Sequence, residues 1–315
     1  MSNNLWIIRR LVSDVLARRR EYNWKSLAAC IARSTRVLAY IPEHKKLLEL
    51  DVVRNYLADE RNKNLFHHLS QRAYLIEGLS VRQRIQCLLA HYQFEDRTFT
   101  SAYKRMLYLD SGMTLWKHHA NGLNFSITLT VSPRWAPEGE LSICCLVEAT
   151  SLHCLSFNWI DGHMVGLIQA VVPFIGRNQG ASMGARQALA AFNEAFPNNS
   201  PSFFCFAAMQ GIAGVIGSRR VVGVKGSFNI CFDHESANSF ANSYDKFWKS
   251  LGGIEMPGTG FGISLPFYGK PLSEIAGKHR KRAAMRRSFW ESISHSARDT
   301  LQPHVLVTER IRLAA

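Results

Sequence analysis

Phe125-Ser126-Ile127-Thr128-Leu129-Thr130-Val131 alternates an apolar side chain with a hydroxyl-bearing one at every step. That period of two is the signature of a strand with one face buried and the other half-wet. The loop Ser132-Pro133-Arg134-Trp135-Ala136-Pro137-Glu138-Gly139 ends it. Three further strand-like runs follow, Glu140 to Glu148, Ser151 to Trp159 and, beyond the Asp161-Gly162 turn, Met164 to Val172. Four consecutive strands separated by turn residues predict a mainly antiparallel sheet.

Upstream, residues 5 to 110 read as mostly helical, with helix-compatible stretches around 5–20, 24–40, 43–58 and 80–92 and a break at Pro42. Downstream, Gly176-Arg177-Asn178-Gln179-Gly180-Ala181-Ser182-Met183-Gly184 reads as a loop, followed by helices over 185–196 and 202–216. A short strand at Val221–Val224 and a helix over 236–251, stopped by Gly252-Gly253, come next. A strand over 261–267 then leads into a basic helix. The fold class predicted is α+β or α/β: a helical region over 1–110, a mixed-sheet body over 111–270 and a basic helical segment over 271–315.

The 315 residues are 47% hydrophobic and 20% charged, ordinary values for a chain that buries a core. The formal net charge is +14. It is concentrated at the ends, with ten Lys or Arg against four Asp or Glu in residues 1–50 and ten against five in 251–315. Residues 101–200, with six of each sign, are neutral. Lys278, Arg280, Lys281, Arg282, Arg286 and Arg287 lead into Phe289 and Trp290, which predicts a helix with a cationic and an aromatic face. Such a face is either solvated or binds anions: a membrane surface, an acidic partner, nucleic acid or a phosphorylated cofactor. No helix-turn-helix, zinc-finger or RNP pattern supplies a frame for reading nucleic acid. The first residues lack the order of a signal peptide, and the longest weakly charged stretch, 162–175, is shorter than a membrane span. A cytosolic protein, free to sit on the inner membrane surface, is expected.

Seven cysteines lie scattered in apolar segments without a C-x-x-C pair, and buried reduced thiols are expected. The pairs His67-His68 and His118-His119, together with His91, lack the spacing of a helical metal site, and surface or capping roles are expected. No metal is expected.

Three features could carry chemistry. A strand followed by Arg177-x-x-Gly180-x-Ser182 and a helix can hold a pyrophosphate on backbone N–H groups and the helix dipole; an ordinary strand-to-helix loop is the alternative. Tyr244 could donate a proton in a cleft, although Phe240, Tyr244, Phe247, Trp248 and Leu251 also form one apolar stripe that suits a core. Asp245 and Lys249 are helical i, i+4 partners. His234, between Asp233 and Glu235, could act as a general base, or the three could begin the next helix.

The block Tyr244-Asp-Lys-Phe-Trp-Lys-Ser-Leu-Gly-Gly253, with Gly260-Phe-Gly-Ile-Ser-Leu-Pro266 and residues 278–287, resembles the VirK/YbjX family of bacterial proteins. The resemblance extends upstream through Phe66-His67-His68, Leu79–Arg84 and Gly166–Gln169. It implies a role in virulence, envelope stress and resistance to antimicrobial peptides, and supplies no catalytic residues. At the second helix Asn198-Asn199-Ser200-Pro201 keeps only the proline of the family's turn.

The order of elements is also similar to the GNAT acyltransferase fold. That similarity implies acyl-CoA as cofactor, with Arg177, Gly180 and Ser182 on its pyrophosphate and Tyr244 protonating the departing thiolate. Two departures are that two helices stand where the fold has one after the loop, and that the tyrosine-to-glycine interval is longer. Two further classes stand beside an acyltransferase: a non-catalytic protein docking through its basic helices, and an RNA-binding regulator.

Overall fold

The alternating segment becomes the second strand of an eight-stranded sheet in a computed structural model of the chain. The structure describes residues 39–57 and 73–306 apart from 134, 135, 169, 170, 181, 182 and 259, with scattered positions between 9 and 32. The expected helix at 5–20 lies largely, and His67-His68 wholly, outside these residues; in the expected helix at 24–40 the described positions from 24 to 32 are helical.

The strands are β1 (Met113–Ala120), β2 (Leu123–Val131), β3 (Leu141–Val147), β4 (Thr150–Asp161), β5 (Val171–Gly180), β6 (Arg220–Val224), β7 (Ile254–Met256) and β8 (Gly260–Ser264). They lie in the order β1-β2-β3-β4-β5-β6-β8-β7. Every neighbouring pair is antiparallel except β5 and β6, which are parallel. On β2, Phe125, Ile127 and Leu129 are buried and the residues between them are half-buried, as the alternation requires.

The helices are α1 (Ile41–Glu49), α2 (Val81–Thr98), α3 (Ser101–Tyr108), α4 (Arg186–Ala195) and α5 (Pro201–Val215). They continue with α6, made of Ala237–Phe240, the π-helical turn Ala241–Lys246 and Phe247–Ser250, and end with α7 (Gly277–Leu301). Pro42 opens α1 rather than breaking it, because the first turn of a helix needs no N–H there. Ser80 and Gln83 form a reciprocal capping box on α2, and the Thr100 side chain caps α3. β1 and β7 were not anticipated, and α3 falls within the expected helical region 5–110 beyond its named stretches.

Phe204 to Met209 are buried without interruption, so α5 is the inner helix of its layer. It crosses α7 so closely that a side chain at Gly211 would strike the Ser294 carbonyl. Trp116, Phe125, Phe192, Phe196, Phe204 and Phe289 interlock where β1, β2, α4, α5 and α7 meet, with ring centroids 4.9–6.4 Å apart. A second cluster ties α2 and α3 to β4. There the Glu95 carboxyl accepts hydrogen bonds from Trp159 Nε1 (2.7 Å) and the hydroxyls of Tyr103 and Tyr108 (3.2 and 3.3 Å). Glu95 is fully buried, and burial outweighs these bonds to lift its pKa to about 8. Lys104 on α3 joins Asp51 and Asp96 at 3.1 and 2.8 Å, while Asp96 accepts from the backbone nitrogens of Asp51 and Val52.

Several expectations are corrected. The strand expected at Met164–Val172 is a 3₁₀ turn, Gly162–Val165, followed by β5, so Arg177 and Gly180 belong to a strand. Both faces of β5 are largely buried, which removes the alternation that marks a strand, and Pro173 is accommodated beside Trp159. Cys144 and Cys154 are not reduced thiols: they face each other in register across β3 and β4 and form a disulfide. A tight turn brings cysteines ten residues apart together, which no C-x-x-C search detects. Cys87, Cys145 and Cys205 are buried free thiols, Cys231 is an exposed one, and Cys30 lies outside the described residues. His91 is neither at the surface nor a cap: its Nδ1 accepts from Trp159 N at 3.2 Å in the core. Asp245 does not pair with Lys249; its carboxylate accepts from Gly226 N at 2.7 Å, and Lys249 lies over the Phe261 ring.

Candidate functional site

β5 and β6 pair only at Phe174 with Val222 and Ile175 with Gly223. β6 ends at Val224, whereas β5 continues to Gly180, so the two strands part at Gly176. A bulge in the β4–β5 ladder falls at the same place, between Ser156 and Phe157 of β4. Such bulges bend a strand and redirect its free edge. Only glycine fits at 176, since a side chain there would strike the Glu138 carbonyl and approach the Leu75 carbonyl to 2.9 Å.

Beyond the pairing, the free edge of β5 is held by side chains. The amide of Asn229 donates to the Gly176 carbonyl at 2.8 Å and to Tyr244 Oη at 3.1 Å. Asn178 N donates to the same phenolic oxygen at 3.3 Å. The Asn178 side chain donates to the Ser243 carbonyl at 2.7 Å and meets His153 Nε2 at 2.8 Å. Tyr244, 1% exposed, therefore accepts two hydrogen bonds at one oxygen and keeps its own hydrogen to give. Burial raises its pKa well above the usual phenol value, so the proton is present at neutral pH. His153 is driven the opposite way by burial, to about 4, and is neutral.

Arg177 leaves β5 beside Ser156 and pairs with Glu138 at 3.6 Å. The Cys231 thiol donates to the other Glu138 oxygen at 3.6 Å. Burial, then the Glu138 charge, pushes that thiol up to about 11, which removes it as a neutral-pH nucleophile. Gly180 ends β5, and a side chain built on it would meet no atom within 4 Å. The space above it is open. The chain then passes through a 3₁₀ turn, Met183–Ala185, into α4, whose N-cap Ala185 gives no side-chain cap. Ser182 lies outside the described residues.

The structure thus brings Arg177, Gly180 and Tyr244 to one divergence of strands. His234 is not among them: it is exposed, its ring packs edge-on against Phe232, and Phe240 stands between Phe232 and Tyr244. Asp233 accepts from Glu235 N at 3.3 Å in the turn that opens α6. Asn229, His153 and Glu138 were missed because they lie in separate segments that only folding brings together.

The cationic residues occupy the first half of α7. Lys278, Arg280, Lys281 and Arg282 are exposed, and Arg280 donates to the carbonyls of Leu272 and Ile275 at 3.0 and 3.3 Å. Arg286 lies over the Trp290 ring at 5.1 Å, and Arg287 donates to the Lys270 carbonyl. Among the described residues no group of three His, Cys, Asp or Glu is placed to hold a metal, and no helix is long and apolar enough to cross a membrane.

A family model described as "Protein of unknown function (DUF535)" matches residues 19–299. The chain belongs to the DUF535 family. This is the family of the VirK/YbjX proteins, and the match takes in β5, the divergence, α6 and nearly all of α7. Neither a curated protein nor a solved structure matches the chain.

Proposed function

We propose that this DUF535 protein is an acyltransferase that takes an acyl group from acyl-CoA, on a sheet arranged as in GNAT enzymes. One observation carries the reading. Among the described residues the one parallel strand pair, β5 and β6, parts at Gly176, and the Tyr244 hydroxyl meets the Arg177-x-x-Gly180 segment at Asn178 N. Open space over Gly180 lets a pyrophosphate approach the backbone, the start of α4 supplies positive charge, and Arg177 serves the phosphate by exchanging it for Glu138. Ser182 completes the motif.

In the reaction, an acceptor nucleophile bonds to the acyl carbon and the carbon–sulfur bond breaks. The departing thiolate takes the Tyr244 proton. The acceptor's own proton passes to solvent, which restores the phenol. Asn178 N and Asn229 fill the acceptor positions of the phenolic oxygen and so leave its hydrogen to be donated. An envelope component or a peptide as acceptor suits the family's link to envelope stress, virulence and peptide resistance.

Calorimetric titration with CoA, acetyl-CoA and a long-chain acyl-CoA tests the reading. Saturable binding that Gly180→Trp abolishes and Tyr244→Phe preserves is expected, with thiol release slowed in Tyr244→Phe. Absence of saturable binding at millimolar concentration overturns it. A second reading, docking on an anionic membrane, is favoured by Lys278, Lys281 and Arg282, which are exposed and make no ion pair among the described residues. Vesicle binding that survives high salt, or survives Lys278→Glu/Lys281→Glu, rules it out.

A further inference from the structure

A groove runs between α5, α7 and the segment after β8, at the end of the sheet opposite Gly180. β5 and β6 point the same way and Gly180 closes β5. Arg219 precedes β6, and Leu265 follows the antiparallel β8 and donates its backbone N–H to the Arg219 carbonyl at 2.9 Å. Two adjoining hollows, of about 390 and 230 Å³, share Gln210 and Pro266. The larger is lined by Arg219, His295 and Arg298, and the smaller by Arg287, Trp290 and Phe267.

The charges here are uncompensated. None of Arg219, Arg287 and Arg298 is in an ion pair among the described residues, and Glu291 is the one carboxylate on either lining. Arg298 lies across Gly214 with its guanidinium where a side chain at 214 would stand, so a small residue on α5 makes room for it. Gln210 is fixed in the floor, its amide donating to Ser294 Oγ at 3.3 Å and its carbonyl accepting from Phe267 N at 3.0 Å. Trp290, 8% exposed, has an indole N–H with no partner among the described residues. That nitrogen is itself buried, so Trp290 offers the groove its ring and not its N–H.

We infer that this groove binds a phosphate-bearing ligand, its phosphate held by Arg219 and Arg298 and its apolar part lying toward Phe267 and Trp290. Guanidinium groups match phosphate oxygens in pairs, and the hollow accommodates a headgroup-sized molecule rather than a duplex. The site is independent of acyl-CoA binding.

The test uses the full chain, with glycerol 3-phosphate as soluble probe and phosphatidylglycerol vesicles as lipid probe. The variants are Arg219→Gln/Arg298→Gln, Arg219→Gln alone, and Arg105→Gln/Lys117→Gln as a control at exposed positions outside the groove and outside the cationic face of α7. Binding of either probe that weakens about tenfold or more in the double variant and is retained in the control supports the site. Glycerol 3-phosphate binding assigns a soluble phosphate ester, and vesicle binding alone assigns a lipid headgroup. Absence of binding to both probes overturns the inference, as does binding that the Arg219 and Arg298 changes leave intact or the control abolishes equally. Arg219 and Arg298 are exposed, so a matching melting temperature separates lost binding from misfolding. Gly180→Trp leaves this binding unchanged, which keeps it distinct from failure of the acyl-CoA reading.

Discussion

The phenolic oxygen of Tyr244 lies 3.3 Å from the backbone nitrogen of Asn178 and accepts its hydrogen, joining α6 to the strand edge that β6 leaves unpaired. A buried strand edge requires partners for its N–H and C=O groups, and this tyrosine supplies one of them.

Tyr244→Phe leaves Asn178 N and the Asn229 amide short of an acceptor in a dry site. A loss of about 1–3 kcal/mol is expected. Urea denaturation reads it, and an unchanged midpoint would show that the two hydrogen bonds contribute nothing.

Gly176 and Gly180 stand on one strand and differ in their surroundings. Gly176→Ala drives a methyl into the Glu138 carbonyl and is expected to cost about 3 kcal/mol or more. Gly180→Ala meets open space and is expected to stay within about 0.5 kcal/mol. Equal effects at the two positions would contradict the bulge and the open space over Gly180.

Glu95, His91 and His153 give opposite slopes of stability with pH. Glu95 has a folded pKa near 8 against an ordinary 4.5, so the folded state holds an extra proton between them. Its stabilising contribution is complete below 4.5 and is lost as pH rises to about 8. His91 and His153 fall to about 4 from 6.5, so their neutral forms favour folding above 6.5 and this is lost as pH falls toward 4. Between pH 6.5 and 8, above the histidines' window and below that of the cysteine thiols, Glu95 therefore dominates. Stability of the natural protein declines there, and Glu95→Gln is expected to flatten the decline. A parallel decline in Glu95→Gln assigns the slope elsewhere.

Lys104 is 4% exposed and lies between Asp51 and Asp96. Lys104→Met leaves two carboxylates facing each other, and because Asp51 is half-exposed a loss of about 1–3 kcal/mol is expected, between the surface and buried ranges. A melting curve checks it. A loss below about 1 kcal/mol would place the pair with solvent-screened surface bridges.

Cys144 and Cys154 are opposed across β3 and β4. Digestion under non-reducing conditions is expected to release one linked species containing both, and separate peptides would show the thiols reduced in the isolated protein.

Residues 123–131, 201–215 and 277–301 were legible because each buries one face or is apolar throughout, and periodicity is local information. β5 was misread because both its faces are buried and Pro173 interrupts it. Arg177, Gly180 and Tyr244 could be singled out by motif and position. Asn229 gave no signal, since an asparagine in a loop reads as a turn residue until a strand edge is seen beside it.

By itself, then, the sequence determined a mixed class, α+β or α/β, the run of antiparallel strands from 125 to 159, the helices near 185–196 and 202–216 and the cationic face of α7. Each follows from the spacing of side chains within one element and from the local chemistry of its ends. Only the tertiary structure decided that β5 and β6 part at Gly176, that Cys144 meets Cys154 and that Arg219 and Arg298 share a groove. Those facts depend on register and on which distant segments fill the gaps between elements. Close packing and hydrogen-bond satisfaction set them across the whole core, and no window of neighbouring residues contains that information.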